Sequence, residues 1–232
     1  EQEFGRPLDS LFSSFEDSAV AAASIAQVHF AVTTEGQEVA VKILRPGIEE
    51  AFQRDLELMR WVAGLIVKAK PEIQRLKPLE CIDALAETVK LEMDLRLEAA
   101  AAVEIAENFA GDEDFRVPQV DWTRTGRRVM TTERLSGIPL DERDALIAAG
   151  HDPHMVLQKS SNASFRQVFR DGFFHADAHP GNLFVLESGA IGAVDFGIMG
   201  RLDLKTRLWL GEILLAFLTR DYRRAAEVHF EA

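Results

Sequence analysis

The sequence predicts an α+β chain in two lobes, a small sheet-containing lobe with a helical insertion followed by a helical lobe. Three observations point there. Alternating, β-branched segments cluster early, most clearly VHFAVTT and EVAVKIL around the turn EGQ at 28–44. Helical spacing of apolar residues fills 48–68 and 79–110. From Asp141 onward the pattern is mostly helical, interrupted by one apolar hairpin at 183–196. The boundary is placed after residue 135, giving lobes of 1–135 and 136–232.

The elements follow in order. The small residues AVAAASIAQ at 19–27 feed the first strand of the 28–44 hairpin. Ile48, Phe52, Leu56, Met59, Val62, Ala63 and Ile66 share a helical face, and Pro71 and Pro78 bracket a break. Residues 79–110 form one long helical stretch, with EAAAA at 98–102 favouring helix. VPQVDW and RRVMTTERL, at 117–122 and 127–135, form a strand pair. Helices are expected over 141–149, 153–171, 203–219 and 221–231. The late hairpin runs LFVL, then ESG, then AIGAVDF.

Composition narrows the function classes. The chain has 26 basic and 38 acidic residues, a net charge of −12, which argues against a nucleic-acid partner. Its 47% apolar and 28% charged content is that of a soluble globular protein. The one cysteine, Cys81, excludes an internal disulfide and, in helical phase with Leu79, Ile82 and Leu85, is expected to be buried filler. The most apolar stretch, LWLGEILLAFL at 208–218, is too short to span a bilayer and contains Glu212, so these residues are expected to be soluble. The first residue is Glu1 rather than Met, so the chain is expected to be a piece of a longer one.

The chemistry concentrates in FFHADAHPGNLFVLESGAIGAVDFGIM at 173–199. His175, Asp177, His179 and Asn182 form HxDxHxGN, and Asp195-Phe196-Gly197 follows. Asp177 and Asn182 stand five residues apart, the Asp-to-Asn interval of the phosphoryl-transfer loop H-R-D-x-x-x-x-N. Asp195 follows Asn182 by 13 residues, room for a strand, a turn and a strand. Mg²⁺ wants oxygen ligands and shares them with phosphates, and Asn182 and Asp195 supply such oxygens. Asp177 is left to orient the attacking group and accept its proton. His175 and His179 read as structural parts of the loop, because a zinc site needs a third and fourth ligand.

A second group sits earlier. VAVK at 39–42 is a strand ending in Lys42, placed to reach α- and β-phosphates. AAASIAQV at 21–28 stands where a glycine-rich loop would cover phosphates; alanine avoids left-handed φ, so this loop should be stiffer. A phosphate-binding lysine is held by a helical acid, and Glu87, Glu92, Asp94, Glu98 and Glu104 are all candidates by spacing.

AAASIAQVH, VAVKILRPGI, LEMDLRLEA, VMTTERLSGIPL, FFHADAHPGNLFV and AVDFGIMG, in this order, resemble the UbiB/ADCK family of atypical protein-kinase-like proteins. The resemblance runs from about Phe15 to about Tyr222. It implies a two-lobed protein-kinase-like fold holding Mg²⁺ and an adenine nucleotide, ATP or ADP, between the lobes. It implies that Val20, Ala21, Ala22, Ala23, Ser24, Ile25, Ala26, Gln27 and Val28 form an Ala-rich nucleotide loop. It implies that Lys42 is the phosphate lysine and that Glu92 and Asp94 form the ExD motif, with Glu92 pairing Lys42. Glu133 to Leu135 would be the hinge meeting adenine through its backbone, with Thr132 at the gatekeeper place. Asp177 is then catalytic, Asn182 and Asp195 bind metal, and 48–78 resembles a family-specific helical addition. The family's upstream KxGQ extension and the C-terminal hydrophobic segment of its bacterial members do not occur within these residues.

The activity so implied is Mg²⁺-dependent ATP binding and hydrolysis supporting ubiquinone biosynthesis. The full-length parent would work at the cytoplasmic side of the bacterial inner membrane, with a quinone-like lipid or ubiquinone-biosynthesis proteins as partners. The alternative is a small-molecule phosphotransferase of the aminoglycoside or choline kinase type, whose loop HxDxHxGN also resembles. The Ala-rich loop and the ExD helix weigh against it. A non-catalytic pseudokinase is disfavoured by the presence of Lys42, Asp177, Asn182 and Asp195 together.

Overall fold

The structure, a computed structural model, describes residues 3–22 and 25–231. It divides into two units, Glu1–Ala100 with Val120–Arg134, and Ala101–Gln119 with Leu135–Ala232. Residues 101–119, expected with the first lobe, therefore group with the second unit, while the later boundary falls between Arg134 and Leu135.

In the first unit β1 (Phe12–Phe15), β2 (Ala21–Ala22), β3 (Ala26–Thr33) and β4 (Glu38–Leu44) are followed by α1 (Ile48–Ala69), α2 (Pro78–Glu92) and the start of α3 (Leu95–Asn108). β5 (Phe115–Arg116) belongs to the second unit, and β6 (Val129–Glu133) returns to the first. The first sheet is antiparallel in the order β1-β3-β4-β6, with β2 also on β3. The β3–β4 hairpin forms because alternate residues are apolar and Gly36 takes φ +88 in its turn. Val39 and Val41 of β4 face a core of Leu11, Phe12 and Ala31.

Arg124 pins this unit from inside. Buried, it donates to the Leu11 carbonyl (2.8 Å), to Asp121 Oδ2 (2.7 Å) and to Glu35 Oε2 (2.6 Å). Burial opposes the charge on Asp121, but hydrogen bonds from Thr123 and Arg124 outweigh it and hold its carboxyl below the usual range. The expected partner strand at 117–122 is reduced to one bridge, Val120 to Thr132. Asp121 explains why, since its side chain caps a 3-10 turn at Trp122–Arg124 and turns the backbone away from the ladder.

Two further expectations need correction. Residues 79–110 are two helices rather than one, broken at Met93–Asp94. There the Asp94 N–H bonds back to the Leu91 carbonyl, and the Asp94 carboxylate accepts from the Arg96 N–H at 3.2 Å, capping α3. Cys81 is exposed, not buried. Its face of α2 carries exposed Leu79 and Leu85, so helical phase alone did not identify the buried side.

In the second unit β7 (Gly137–Pro139), α4 (Arg143–Ala148), α5 (Pro153–Phe165), β8 (Phe173–His175), β9 (Leu183–Leu186), β10 (Ile191–Ala193), β11 (Met199–Arg201), α6 (Leu204–Leu218) and α7 (Tyr222–Glu231) follow. A four-stranded sheet runs β5-β10-β9-β7, and β8 pairs β11 separately. Ile191 and Val185, paired across β9 and β10, are almost wholly buried, and Phe109 packs on Phe115 at 4.5 Å between centroids. The helix expected over 153–171 is α-helical only to Phe165 and continues as a π-helical turn at Arg166–Asp171. Such π turns inside helices are frequent at functional sites. Among the described residues, no helix is long and apolar enough to cross a membrane.

Candidate active site

In the first unit the site is built on the strand pair β3–β4. Val39 and Val41 turn into the core, so Lys42 takes the opposite face by the two-residue period of a strand. Its ammonium donates to both carboxylate oxygens of Glu98, at 2.7 and 2.9 Å. The two side chains are only 15% and 8% exposed. Such a pair is electrostatically strong but costly to desolvate, so it fixes geometry more than it adds stability.

The acid that meets Lys42 is therefore Glu98, and the pairing expected with Glu92 is corrected. Glu92 is the last residue of α2 and is exposed. The break at Met93–Asp94 starts a new helix, and Glu98 stands in its first turn. Asp94, the other half of the ExD motif, pairs with Arg96 at 2.6 Å. The Arg96 hydrogen bond holds the Asp94 carboxyl below its ordinary range.

The Ala-rich segment runs beside β3 in the same sheet. β2 pairs with β3 through Ala21 to Val28 and Ala22 to Gln27, and the Val20 N–H donates to the Val28 carbonyl at 2.8 Å. The Ile25 carbonyl accepts from the Arg45 N–H at 2.9 Å, and Ala26 is fully buried. Ala23 and Ser24 lie outside the described residues. None of Ala21, Ala22, Ile25 and Ala26 adopts a positive φ, as their Cβ atoms demand. Replacing Ala21 with Gly is expected to cost about 1 kcal/mol or less through unfolded-state entropy, while tightening ATP relative to ADP. Nucleotide titrations on the folded variant check this. An unchanged ATP-to-ADP ratio with lost stability would make the alanine a packing residue only.

The strand expected to meet adenine ends this half. On β6, Thr132 pairs with Ala40 and Glu133 with Val39, and the Arg134 N–H donates to the Glu38 carbonyl at 3.1 Å. Leu135 begins the next unit.

The second group is stitched together within the second unit. Gln167, buried on the π-helical turn, accepts from the His175 N–H at 2.9 Å and so fixes the end of β8. His175 Nδ1 accepts from the Asp177 N–H at 3.2 Å, and its ring lies 5.6 Å from the buried ring of Phe196. The Asp177 carbonyl accepts from the His179 N–H at 2.8 Å and from Asn182 Nδ2 at 3.3 Å. The Asn182 carbonyl in turn accepts from the Val194 N–H at 2.9 Å, one residue before Asp195. One backbone network thus ties Asp177 and Asn182 to the residue preceding Asp195.

Their environments differ. Asn182 is buried, with Nδ2 committed to Asp177, so Oδ1 is its oxygen for a ligand. The Asp177 side chain is 53% exposed, open to a reacting group. Asp195 has φ +63, a left-handed conformation that Asp and Asn adopt more readily than other non-glycine residues. Here β10 and the buried Phe196 clamp it on either side. Among the described residues, no group of three or more His, Cys, Asp or Glu is placed to hold a metal ion by itself. The donor set present, one carboxylate and one amide oxygen, suits a hard cation completing its shell with phosphate and water.

Sequence reasoning kept Glu98 among several acids but did not select it, and it missed Gln167. The capping residue Asp94 was the available signal for Glu98, because it restarts the helical count there. Nothing in the sequence marked Gln167, whose position depends on the π-helical turn.

Residues 1–229 match the ABC1 atypical kinase-like domain. The chain is 42% identical over its whole length to a probable protein kinase UbiB of Marinobacter nauticus and 39% identical to that of Aeromonas salmonicida, in each case spanning 43% of the relative's length. Among solved structures it resembles Rv3197 of Mycobacterium tuberculosis, determined in complex with erythromycin. That match has a TM-score of 0.78 and 32% identity, and it covers 99% of this chain and 57% of that one. The two-lobed α+β organisation and the ordered motifs have the same source: the chain belongs to the ABC1 atypical kinase-like family.

Proposed function

We propose that this domain binds a Mg²⁺–adenine nucleotide and transfers or hydrolyses its terminal phosphoryl group. The observation that carries the reading is the hydrogen-bonded loop from His175 to Asn182, which presents an exposed carboxylate, Asp177, and a buried amide tied to it. Lys42, oriented by Glu98, binds the α- and β-phosphates as a point charge. Asn182 and Asp195 hold the cation, which supplies charge neutralisation of the phosphate oxygens when bound. Asp177 orients the attacking O–H and takes its proton as the new O–P bond forms. The bond from the γ-phosphorus to the β–γ bridging oxygen breaks, and ADP leaves with that electron pair. Val20–Val28 cover the phosphates, and the backbone of Glu133–Leu135 meets the adenine edge.

In the longer protein this chemistry supports ubiquinone biosynthesis, with a quinone-like lipid as the stimulating partner; the resemblance to UbiB relatives supports this. A second reading, phosphoryl transfer to a small molecule, draws on the neighbour solved with erythromycin. Phosphate release from MgATP, measured alone, with quinone-containing vesicles and with erythromycin, separates the two. Release without any acceptor, rising with the quinone, supports the first reading. ATP consumption that requires the macrolide supports the second, and no Mg²⁺-dependent consumption under any condition sinks both.

A further inference from the structure

His179 has two ring nitrogens in two different jobs. Nδ1 accepts from the Gly181 N–H at 3.0 Å, capping the 3-10 turn at Pro180–Asn182 that carries Asn182. An accepting Nδ1 puts the ring proton on Nε2. Nε2 lies 3.9 Å from Asp177 Oδ2. That is beyond a hydrogen bond, and catalytic hydrogen bonds are often long in unliganded enzymes and tighten when substrate binds. Position 181 is fitted to this ring, since a Cβ there would lie 2.8 Å from His179 Cε1. A side chain at 181 would push the imidazole from this place over the turn. His179 and Asp177 are both about half exposed, 55% and 53%, so both side chains are open to solvent.

We infer that His179 is a positioning residue for Asp177: its Nε2–H engages Asp177 Oδ2 and leaves Oδ1 to accept the proton of the attacking group. The inference rests on the phosphoryl-transfer reading above. A carboxylate free to rotate presents either oxygen in many orientations. One held through Oδ2 keeps a single lone-pair direction on the reacting O–H, which is the role of the third member in nucleophile–base–orienter arrangements. The bland alternative is that His179 only caps its turn.

Two substitutions separate these roles. In His179→Asn the side-chain oxygen can replace Nδ1 as the cap, but nothing reaches Asp177. In His179→Gln the amide nitrogen stands near the Nε2 position and can still donate to Asp177, while the cap is lost. The expected result is a drop of about tenfold in kcat for MgATP in His179→Asn, with KM for ATP and MgADP binding unchanged. His179→Gln is expected to stay within about threefold of wild type in kcat. Equal kcat in His179→Asn and wild type overturns the inference. So does a larger loss in the glutamine variant accompanied by weakened MgADP binding, which would make the residue a cap. Ring ¹⁵N NMR of the protein gives a readout independent of turnover. Asp177→Asn is expected to shift His179 Nε2 and not Nδ1, and an unmoved Nε2 overturns the inference even where catalysis is intact. Absent turnover together with that shift would sink the phosphoryl-transfer reading and leave the contact standing.

Discussion

Asp177→Asn is expected to lower MgATP turnover by roughly 10²-fold or more, the usual scale for losing a general base, while nucleotide affinity stays near wild type. The substitution is nearly isosteric, and the contacts that hold the loop run through the Asp177 backbone, not its carboxylate. Its N–H donates to His175 Nδ1, and its carbonyl accepts from His179 and Asn182. The loop therefore keeps its shape, Asn182 keeps its orientation, and only the proton acceptor is lost. Single-turnover measurements at saturating nucleotide check the rate, and calorimetry with MgADP checks the affinity. Wild-type turnover in the variant would remove Asp177 from the chemistry.

The second large effect concerns Glu98. Glu98→Ala is expected to destabilise the protein by about 3–5 kcal/mol, because it removes the carboxylate that neutralises a largely buried ammonium at 2.7 Å. Glu92→Ala, on the exposed end of α2, should stay within about 0.5 kcal/mol of wild type. Lys42→Met combined with Glu98→Leu should recover part of the loss, since an apolar pair of similar volume needs no desolvation of charge, with a coupling of about 0.5–3 kcal/mol. Urea denaturation of the four proteins decides between the two acids. A large loss for Glu92→Ala, or none for Glu98→Ala, would restore the ExD glutamate as the partner of Lys42.

The pairing of Lys42 shows where the sequence is legible and where it stops being so. The hairpin carrying Lys42 was readable because period-two alternation and a turn glycine are local signals, and β3 and β4 lie within a residue or two of their expected ends. The helix at 48–69 was readable from another local signal, apolar residues at helical spacing. The break at Met93–Asp94 was not, because apolar residues continue in helical phase across it with no Gly or Pro. Only the capping geometry of Asp94 reveals it. That break decides which acid meets Lys42, since it resets the face presented by every later residue. β8 and β11 escaped notice for a different reason: each is three residues long and is defined by its partner rather than by its own pattern. The loop motif, by contrast, was legible at once. Asp177, Asn182 and Asp195 are brought together at short range, through spacings that the chain itself imposes.

Calorimetry of ADP binding in the presence and absence of Mg²⁺, on wild type and Asp195→Asn, tests the central claim most directly. Asp195 is held at φ +63 after β10, and asparagine tolerates that conformation, so the variant should fold. Removing its charge should weaken cation binding. The account predicts Mg²⁺-dependent ADP binding in wild type that is weakened about tenfold or more in the variant. Binding that is indifferent both to Mg²⁺ and to the substitution would contradict it.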